Sequence, residues 1–287
     1  MGPGVRRIPC PALGAEVELP EHVDRIVSLS PSLTDAVFRL GLGSRLVGRS
    51  AWCWRPGGVE ELPVVGSYTG VRRDRLEELA PDLVLTTSGV QEELARKLAG
   101  EGVPVYQLPL PVTPWGILEN LTTTAVVCGE PGAAHGPLEA LWAALSGCRG
   151  VLPPLETYVE IDLGEAVTVG AGSYLLWSLE WLGLRPVTRE DPRAWFSPDG
   201  RWLEELAPRL VLYDPQPRRG STIETVRETL AGRGLGSWFE RGAVLVVTEG
   251  DVLAHHGPWL LEEGLPWIVR TVQQAMGDAP PVSGGDP

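Results

Sequence analysis

Four histidines, four cysteines and eleven tryptophans carry the most distinctive chemistry in this 287-residue chain. Cys10, Cys53, Cys128 and Cys148 are far apart and form no C-x-x-C pair, so their spacing encodes neither a zinc knuckle nor a dithiol redox centre. They read as free, partly buried thiols. Of the histidines, His255 and His256 alone are adjacent. Neighbours on an extended chain point in opposite directions, so the two do not ligate one metal together, which leaves one of them as an edge or axial contact to a bound molecule. No metal site is expected. The chain has no G-x-x-x-x-G-K phosphate loop, no third glycine after GAGSYL to make a dinucleotide fingerprint, and no G-x-S-x-G nucleophile elbow. A nucleophile, a base and oxyanion donors cannot be assembled, which points to binding without catalysis and without a catalytic cofactor.

Aromatic and small residues at the ends of β-rich runs are the remaining candidates. In an open parallel sheet, ligands sit outside the carboxyl ends of the strands. In the first half those loops are SPS (30–32), AWCW (51–54), GSYTG (66–70) and TTSG (86–89); in the second they are GAGSY (170–174), RAWF (193–196), YDPQP (213–217) and AHHG (254–257). They offer Ser30, Pro31, Ser32, Trp52, Trp54, Tyr68 and Ser88 from one side and Gly172, Ser173, Trp195, Phe196, His255 and His256 from the other. Indole and phenol rings with hydroxyls and backbone amides at the margin suit a flat, largely apolar macrocycle better than a sugar phosphate.

The elements that must position these loops follow from periodicity. Short apolar runs alternate with helix-period segments, the pattern of parallel α/β units. RIVSL (25–29), LVLTT (83–87) and VPVYQL (103–108) read as buried strands of a first lobe, with helices over LTDAVFRLG and QEELARKLAG. TYVEID (157–162), RLVLY (209–213) and AVLVV (243–247) are strands of a second, with helices over SYLLWSLEWLG, near 222–231 and over about 258–276. The predicted limits are 1–112 for the N-terminal lobe, 113–149 for a rigid connecting helix interrupted at Gly129, Pro131 and Gly132, and 150–276 for the C-terminal lobe, with a disordered Pro/Gly-rich tail over 277–287. An internal echo supports two related lobes: LEELAPDLVL (76–85) recurs as LEELAPRLVL (203–212).

Composition narrows the function classes. A formal charge of −13 opposes a nucleic-acid partner, because phosphate binding needs a basic stripe. No run approaches the ~18 apolar residues that cross a bilayer, so no membrane insertion is expected. The opening MGPGVRRIPCPALGAEVELP lacks the apolar core of a secretory signal, which leaves a cytoplasmic location open.

The run RIVSLSPSLTDAVFRLGLGSRLVG, continued by P-VVG and LEELAPDLVL, resembles the first lobe of the helical-backbone substrate-binding proteins of ABC importers for vitamin B12, siderophores and haem. The resemblance covers about residues 24–275 and implies two Rossmann-like lobes joined by a long helix, the class III periplasmic-binding-protein fold. It is strongest for the cobalamin binders, which implies a corrinoid ligand clasped by Trp52 and Tyr68 and faced by Trp195 or Phe196, with haem or a ferric siderophore as alternatives. It further implies a location outside the cytoplasm and an ABC permease as partner; a monomer is expected because the lobe faces are spent on the ligand cleft and the helices read as amphipathic. Such proteins dock through one acidic residue per lobe: Asp74 falls at the first position, whereas Arg201 falls at the second, with Asp199, Glu204 and Glu205 nearby. A cytoplasmic cofactor-sensing homologue with the same fold is the other implied role.

Overall fold

The computed structural model describes residues 4–217 and 220–277. They divide into two compact units: unit 1 comprises residues 4–111, 115–143 and 256–259, and unit 2 comprises 112–114, 144–217, 220–255 and 260–277.

Unit 1 begins with an antiparallel hairpin, β1 (Val5–Cys10) and β2 (Ala15–Pro20), which the sequence reading did not anticipate. Then come β3 (Ile26–Ser28), α1 (Pro31–Arg39), β4 (Leu46–Ser50), β5 (Val64–Gly66), α2 (Arg73–Leu79), β6 (Leu83–Thr87), α3 (Glu92–Gly100) and β7 (Val105–Leu108). The five strands from β3 to β7 form an all-parallel sheet in the order β5-β4-β3-β6-β7. Helices cover both faces of such a sheet, and its inner strands are accordingly apolar without alternation: every residue of β6 is buried. Val27, Leu29, Val65, Leu76, Val84, Ala95, Leu98 and Val105 make the core, each large side chain contributing about 1.5–3 kcal/mol on burial. Pro31 opens α1 at the position where its missing N–H costs nothing.

The connecting segment, expected to be helical with an interruption at Gly129, Pro131 and Gly132, holds two helices, α4 (Pro114–Val127) and α5 (His135–Gly147), with a tight helical turn at Pro131–Ala134 between them. Gly129, at φ 82°, ends α4, and a Cβ there would lie 2.3 Å from the carbonyl oxygen of Glu21. Arg6 of the hairpin donates to the carbonyls of Val126 (2.8 Å) and Val127 (2.9 Å), the last turn of α4, where backbone acceptors lack helical partners.

Unit 2 contains β8 (Glu156–Asp162), β9 (Ala166–Val169), α6 (Tyr174–Leu182), β10 (Arg185–Pro186), β11 (Trp195–Phe196), α7 (Gly200–Glu205), β12 (Leu210–Asp214), α8 (Ile223–Leu230), α9 (Gly236–Glu240), β13 (Val244–Val247) and α10 (Leu265–Gly277). Its sheet runs β11-β9-β8-β12-β13, with β10 also paired to β8. Trp238 is fully buried, its ring set edge-on against Tyr158 with centroids 5.1 Å apart. On the central strand, buried Glu160 takes a bidentate ion pair from Arg233 and the hydroxyl of Tyr158 at 2.8 Å, which satisfies its carboxylate away from water. The predicted tail at 277–287 meets the structure at Gly277 alone, the last residue of α10; residues 278–287 lie outside the described residues.

The repeated decapeptide occupies equivalent places. LEELAPDLVL forms the end of α2 and β6, which pairs with β3 and β7; LEELAPRLVL forms the end of α7 and β12, which pairs with β8 and β13. Leu76 and Leu203, the first leucines of the two copies, are both buried. The sheets differ in two respects: β4 is parallel to β3, whereas β9 is antiparallel to β8, and β10 adds a sixth strand in unit 2.

Candidate ligand-binding faces

All strands of the unit 1 sheet share one direction, so the loops after β3 to β7 gather on one edge. Beneath that edge lies a buried network of hydroxyls. Thr87 Oγ1 donates to Ser30 Oγ (2.9 Å), Ser30 and Ser32 hydroxyls lie 2.9 Å apart, and Thr34 Oγ1 bonds Ser28 Oγ (2.9 Å) and Cys53 Sγ (3.0 Å). Burial pushes the Cys53 thiol up from its ordinary pKa, against its hydrogen bonds from Ser50 and Thr34. Ser30 and Ser32, expected among the ligand-facing groups, are thus part of the bracing under the loops, and Pro31 between them starts α1. Ser88 is half-buried, and its hydroxyl accepts from the amide of Leu110 (2.8 Å), tying the loop after β6 to the one after β7.

The aromatic residues of this edge differ in exposure. Trp52 is 51% exposed, and Tyr68 is half-buried on the neighbouring loop, which is joined to the first by the Ala51 amide donating to the Gly66 carbonyl (2.8 Å). Trp54 has one ring face covered: the Arg55 guanidinium carbon lies 4.0 Å from its centroid and 3.9 Å from that of Trp259, so the arginine sits between two indoles. Val90, not among the expected site residues, is 71% exposed in the loop after β6. An isolated valine between TTSG and a charged helix carries no periodic signal by which the sequence could single it out.

In unit 2 the carboxyl ends of β8, β12 and β13 lie on one edge, and the antiparallel β9 changes what accompanies them. The turn at residues 163–165 carries the chain from β8 to β9 on that edge and leaves Leu163 62% exposed. The GAGSY loop instead follows a strand that runs the other way, so the strand-end rule does not extend to it. Its glycines serve close packing: a Cβ on Gly170 would lie 2.4 Å from the carbonyl oxygens of Asp191 and Arg193, and one on Gly172 2.9 Å from that of Pro192. Ser173 is buried and caps α6, its hydroxyl accepting from the Leu175 amide (3.2 Å).

Trp195 and Phe196, expected together on a loop, are consecutive residues of the edge strand β11, paired antiparallel to β9. Side chains of a strand alternate faces, and the two rings have separate neighbours. Trp195 approaches Tyr174, centroids 6.1 Å apart, while Phe196 lies 3.8 Å beneath the Arg193 guanidinium and lines a cavity of about 420 Å³ with Val187, Asp191 and Trp202. The structure does not bring these two rings to one surface.

His255 and His256 are both buried, so neither stands at the tip of its loop. The loop leading to them is organised by Asp214 at the end of β12, whose carboxylate accepts from the amides of Val252 (3.2 Å), Leu253 (3.0 Å) and Ala254 (3.1 Å) and from the Thr248 hydroxyl. Burial raises the Asp214 carboxyl to about 6 in spite of these donors.

Asp74 is exposed in the first turn of α2 and paired with Arg72 at 2.9 Å, a bond that lowers its pKa. At the matching place in unit 2 stands Arg201, exposed like the nearby Glu204 and Glu205, and Asp199 caps α7 by accepting the amides of Arg201 (2.9 Å) and Trp202 (3.1 Å). Among the described residues no group of three or more His, Cys, Asp or Glu side chains is placed to hold a metal ion, and no helix is long and apolar enough to cross a membrane.

Two α/β units, each with the carboxyl ends of its parallel strands on one edge of its sheet, define a solute-binding fold. Over residues 26–233 the chain matches the periplasmic binding protein family, and it belongs to that family. The fold is shared with the haem-binding protein RhuT of Roseiflexus sp. RS-1 (TM-score 0.73, 17% identity, 88% of this chain and 99% of that one). It is shared equally with the vitamin B12-binding protein BtuF of Vibrio cholerae (0.70, 18%, 88% and 98%) and the molybdate-binding protein MolA of Haemophilus influenzae (0.74, 18%, 95% and 93%). These proteins bind three different ligands, so the likeness speaks for the fold alone. Vitamin B12-binding proteins of Yersinia pestis strain Pestoides F and Yersinia pseudotuberculosis strain IP 31758 are each 36% identical over 121 residues. That match spans 42% of this chain and 42% of the relatives' length.

Proposed function

We propose that the chain captures a corrinoid of the cobalamin type and hands it to an ABC importer. The observation that carries this reading is Trp52, an indole left 51% exposed at the carboxyl edge of the unit 1 sheet beside the Tyr68 loop. Burying a side chain of that size is favourable, so an exposed indole beside the Tyr68 loop at a strand-end edge, where ligands of open parallel sheets sit, supports a ligand-covered surface there. A flat macrocycle matches an indole face; a compact oxyanion such as molybdate would call for converging N–H donors instead. The 36% identity to proteins named for vitamin B12 over 121 residues favours the corrinoid over haem or a ferric siderophore.

In this reading Trp52 and Tyr68 contact the ligand, no covalent chemistry occurs, and the chain acts as a monomer outside the cytoplasm. Asp74 is one docking contact for the permease. Titration with cyanocobalamin, followed by calorimetry and tryptophan quenching, tests the assignment, with dicyanocobinamide, hemin and a ferric hydroxamate siderophore run in parallel. Corrinoid binding at micromolar concentration or tighter is expected. Binding of hemin without either corrinoid overturns the ligand and leaves family membership untouched.

A further inference from the structure

Tyr68 sits at the tip of a short loop whose base is closed by backbone hydrogen bonds. The Ser67 amide donates to the Gly70 carbonyl (2.8 Å), the Arg72 amide to the Val65 carbonyl (2.7 Å), and Gly66 bridges to Val71. The approach is so close that a Cβ on Gly66 would lie 2.1 Å from the Gly70 oxygen. That closure shapes the base of the loop.

Gln91 acts on the tip. It lies immediately before α3 and is fully buried, an uncommon place for a primary amide. Its Nε2 donates to the carbonyl of Tyr68 (2.8 Å) and to that of Leu29 (2.8 Å), while its Oε1 accepts from the amide of Thr87 (2.8 Å). One planar group therefore ties together the ends of β3 and β6 and the loop after β5. The geometry is specific to glutamine: glutamate would lose both donors, and an apolar side chain would leave one amide and two carbonyls without this partner.

We propose that Gln91 is a positioning residue for ligand recognition, holding the Tyr68 carbonyl so that the phenol ring is presented in one orientation at the strand-end edge. The consequence for affinity rests on the corrinoid reading given above; the consequence for the loop does not. A side chain fixed before the ligand arrives loses less freedom on binding, which is how a buried amide with no ligand contact raises affinity.

The experiment separates the two consequences. Gln91→Met keeps length and apolar bulk and removes all three hydrogen bonds. Gln91→Glu keeps the acceptor for Thr87, removes the donors and serves where the methionine variant does not fold. In the ligand-free protein, amide hydrogen exchange over residues 65–71 is expected to quicken at least tenfold, with β8 and β12 of unit 2 unchanged. Cyanocobalamin affinity is expected to fall about tenfold, and by less than twofold further when the change is made in a Tyr68→Ala background, because the amide acts through that residue. Unchanged exchange over 65–71, or losses that multiply in the double variant, overturns the proposal. If the wild-type chain binds no corrinoid, the functional reading fails by itself, and the exchange measurement still decides whether Gln91 fixes the loop.

Discussion

The backbone N–H of Trp259 donates to the carboxylate of Asp35 across 2.6 Å, joining residues 224 positions apart in the chain. Both belong to unit 1, although His255 and Leu260 on either side of the 256–259 segment belong to unit 2. Asp35 is buried in α1, and the Trp259 ring packs on the guanidinium of Arg55, itself buried against Trp54. The segment is thus held by a charge-assisted hydrogen bond and a stacked cation.

Asp35→Ala is expected to cost about 1–3 kcal/mol, and Arg55→Lys about 0.5–2 kcal/mol because a compact ammonium cannot stack flat between two rings. Urea unfolding should show lower midpoints with the slope retained. Midpoints equal to wild type for both variants would show that the segment is held by other means.

Stability should depend on pH through Asp214. Its carboxyl moves from an ordinary value of 3.8 to about 6 on folding, with burial as the largest cause. The folded chain then keeps a proton that the unfolded chain gives up, so this contribution is present below pH about 4 and is lost as pH rises towards about 6. Relative to Asp214→Asn, which does not titrate, the wild type is expected to lose about 2–3 kcal/mol between pH 4 and pH 7. A constant difference between the two proteins across that range would mean that the four donors around the carboxylate balance its burial.

Gly170→Ala should disturb Trp195 without touching it. The added methyl meets the Asp191 and Arg193 carbonyl oxygens at 2.4 Å, both of them backbone that cannot swing aside. A loss of more than about 2 kcal/mol is expected. Gly164→Ala serves as comparison for the glycine change itself: Gly164 is at φ 99°, with nothing nearer than 3.9 Å, so its cost comes from backbone strain rather than collision. Faster hydrogen exchange over 191–196 in the first variant and not in the second would report the collision.

Trp52→Ala is expected to weaken corrinoid binding by about tenfold, the value of one aromatic face on a desolvated ligand. Trp177, 41% exposed on α6 with its indole N–H bound to the Ala171 carbonyl (2.8 Å), is the control, and Trp177→Ala should leave affinity within about twofold. Equal losses from the two changes would remove Trp52 from the ligand surface.

Much of the fold was legible because local signals and global packing agree. The strand LVLTT begins and ends where its run of buried residues does, at Leu83–Thr87, and the echo of LEELAP marks the same helix and strand in both units. The antiparallel course of β9 was not legible. AVTV carries β-branched residues suited to either direction, and its sense is decided by the short turn from β8 and by pairing with β11. The same limit applied to Trp195 and Phe196: aromatic character was visible in the letters, and the faces on which the rings lie were set by a two-residue strand.

The sequence by itself determined the two α/β units, their repeated decapeptide, the buried runs of the central strands and the aromatic content of the strand-end loops, because apolar periodicity and turn residues act between neighbours along the chain. Only the tertiary structure decided which of those aromatics face water and which are spent on packing. Trp52 stays exposed while Trp54 stacks on Arg55, and the partner completing that stack, Trp259, arrives from the far end of the chain. Whether a ring is free depends on what folding brings against it, and that information is distributed over residues hundreds of positions apart.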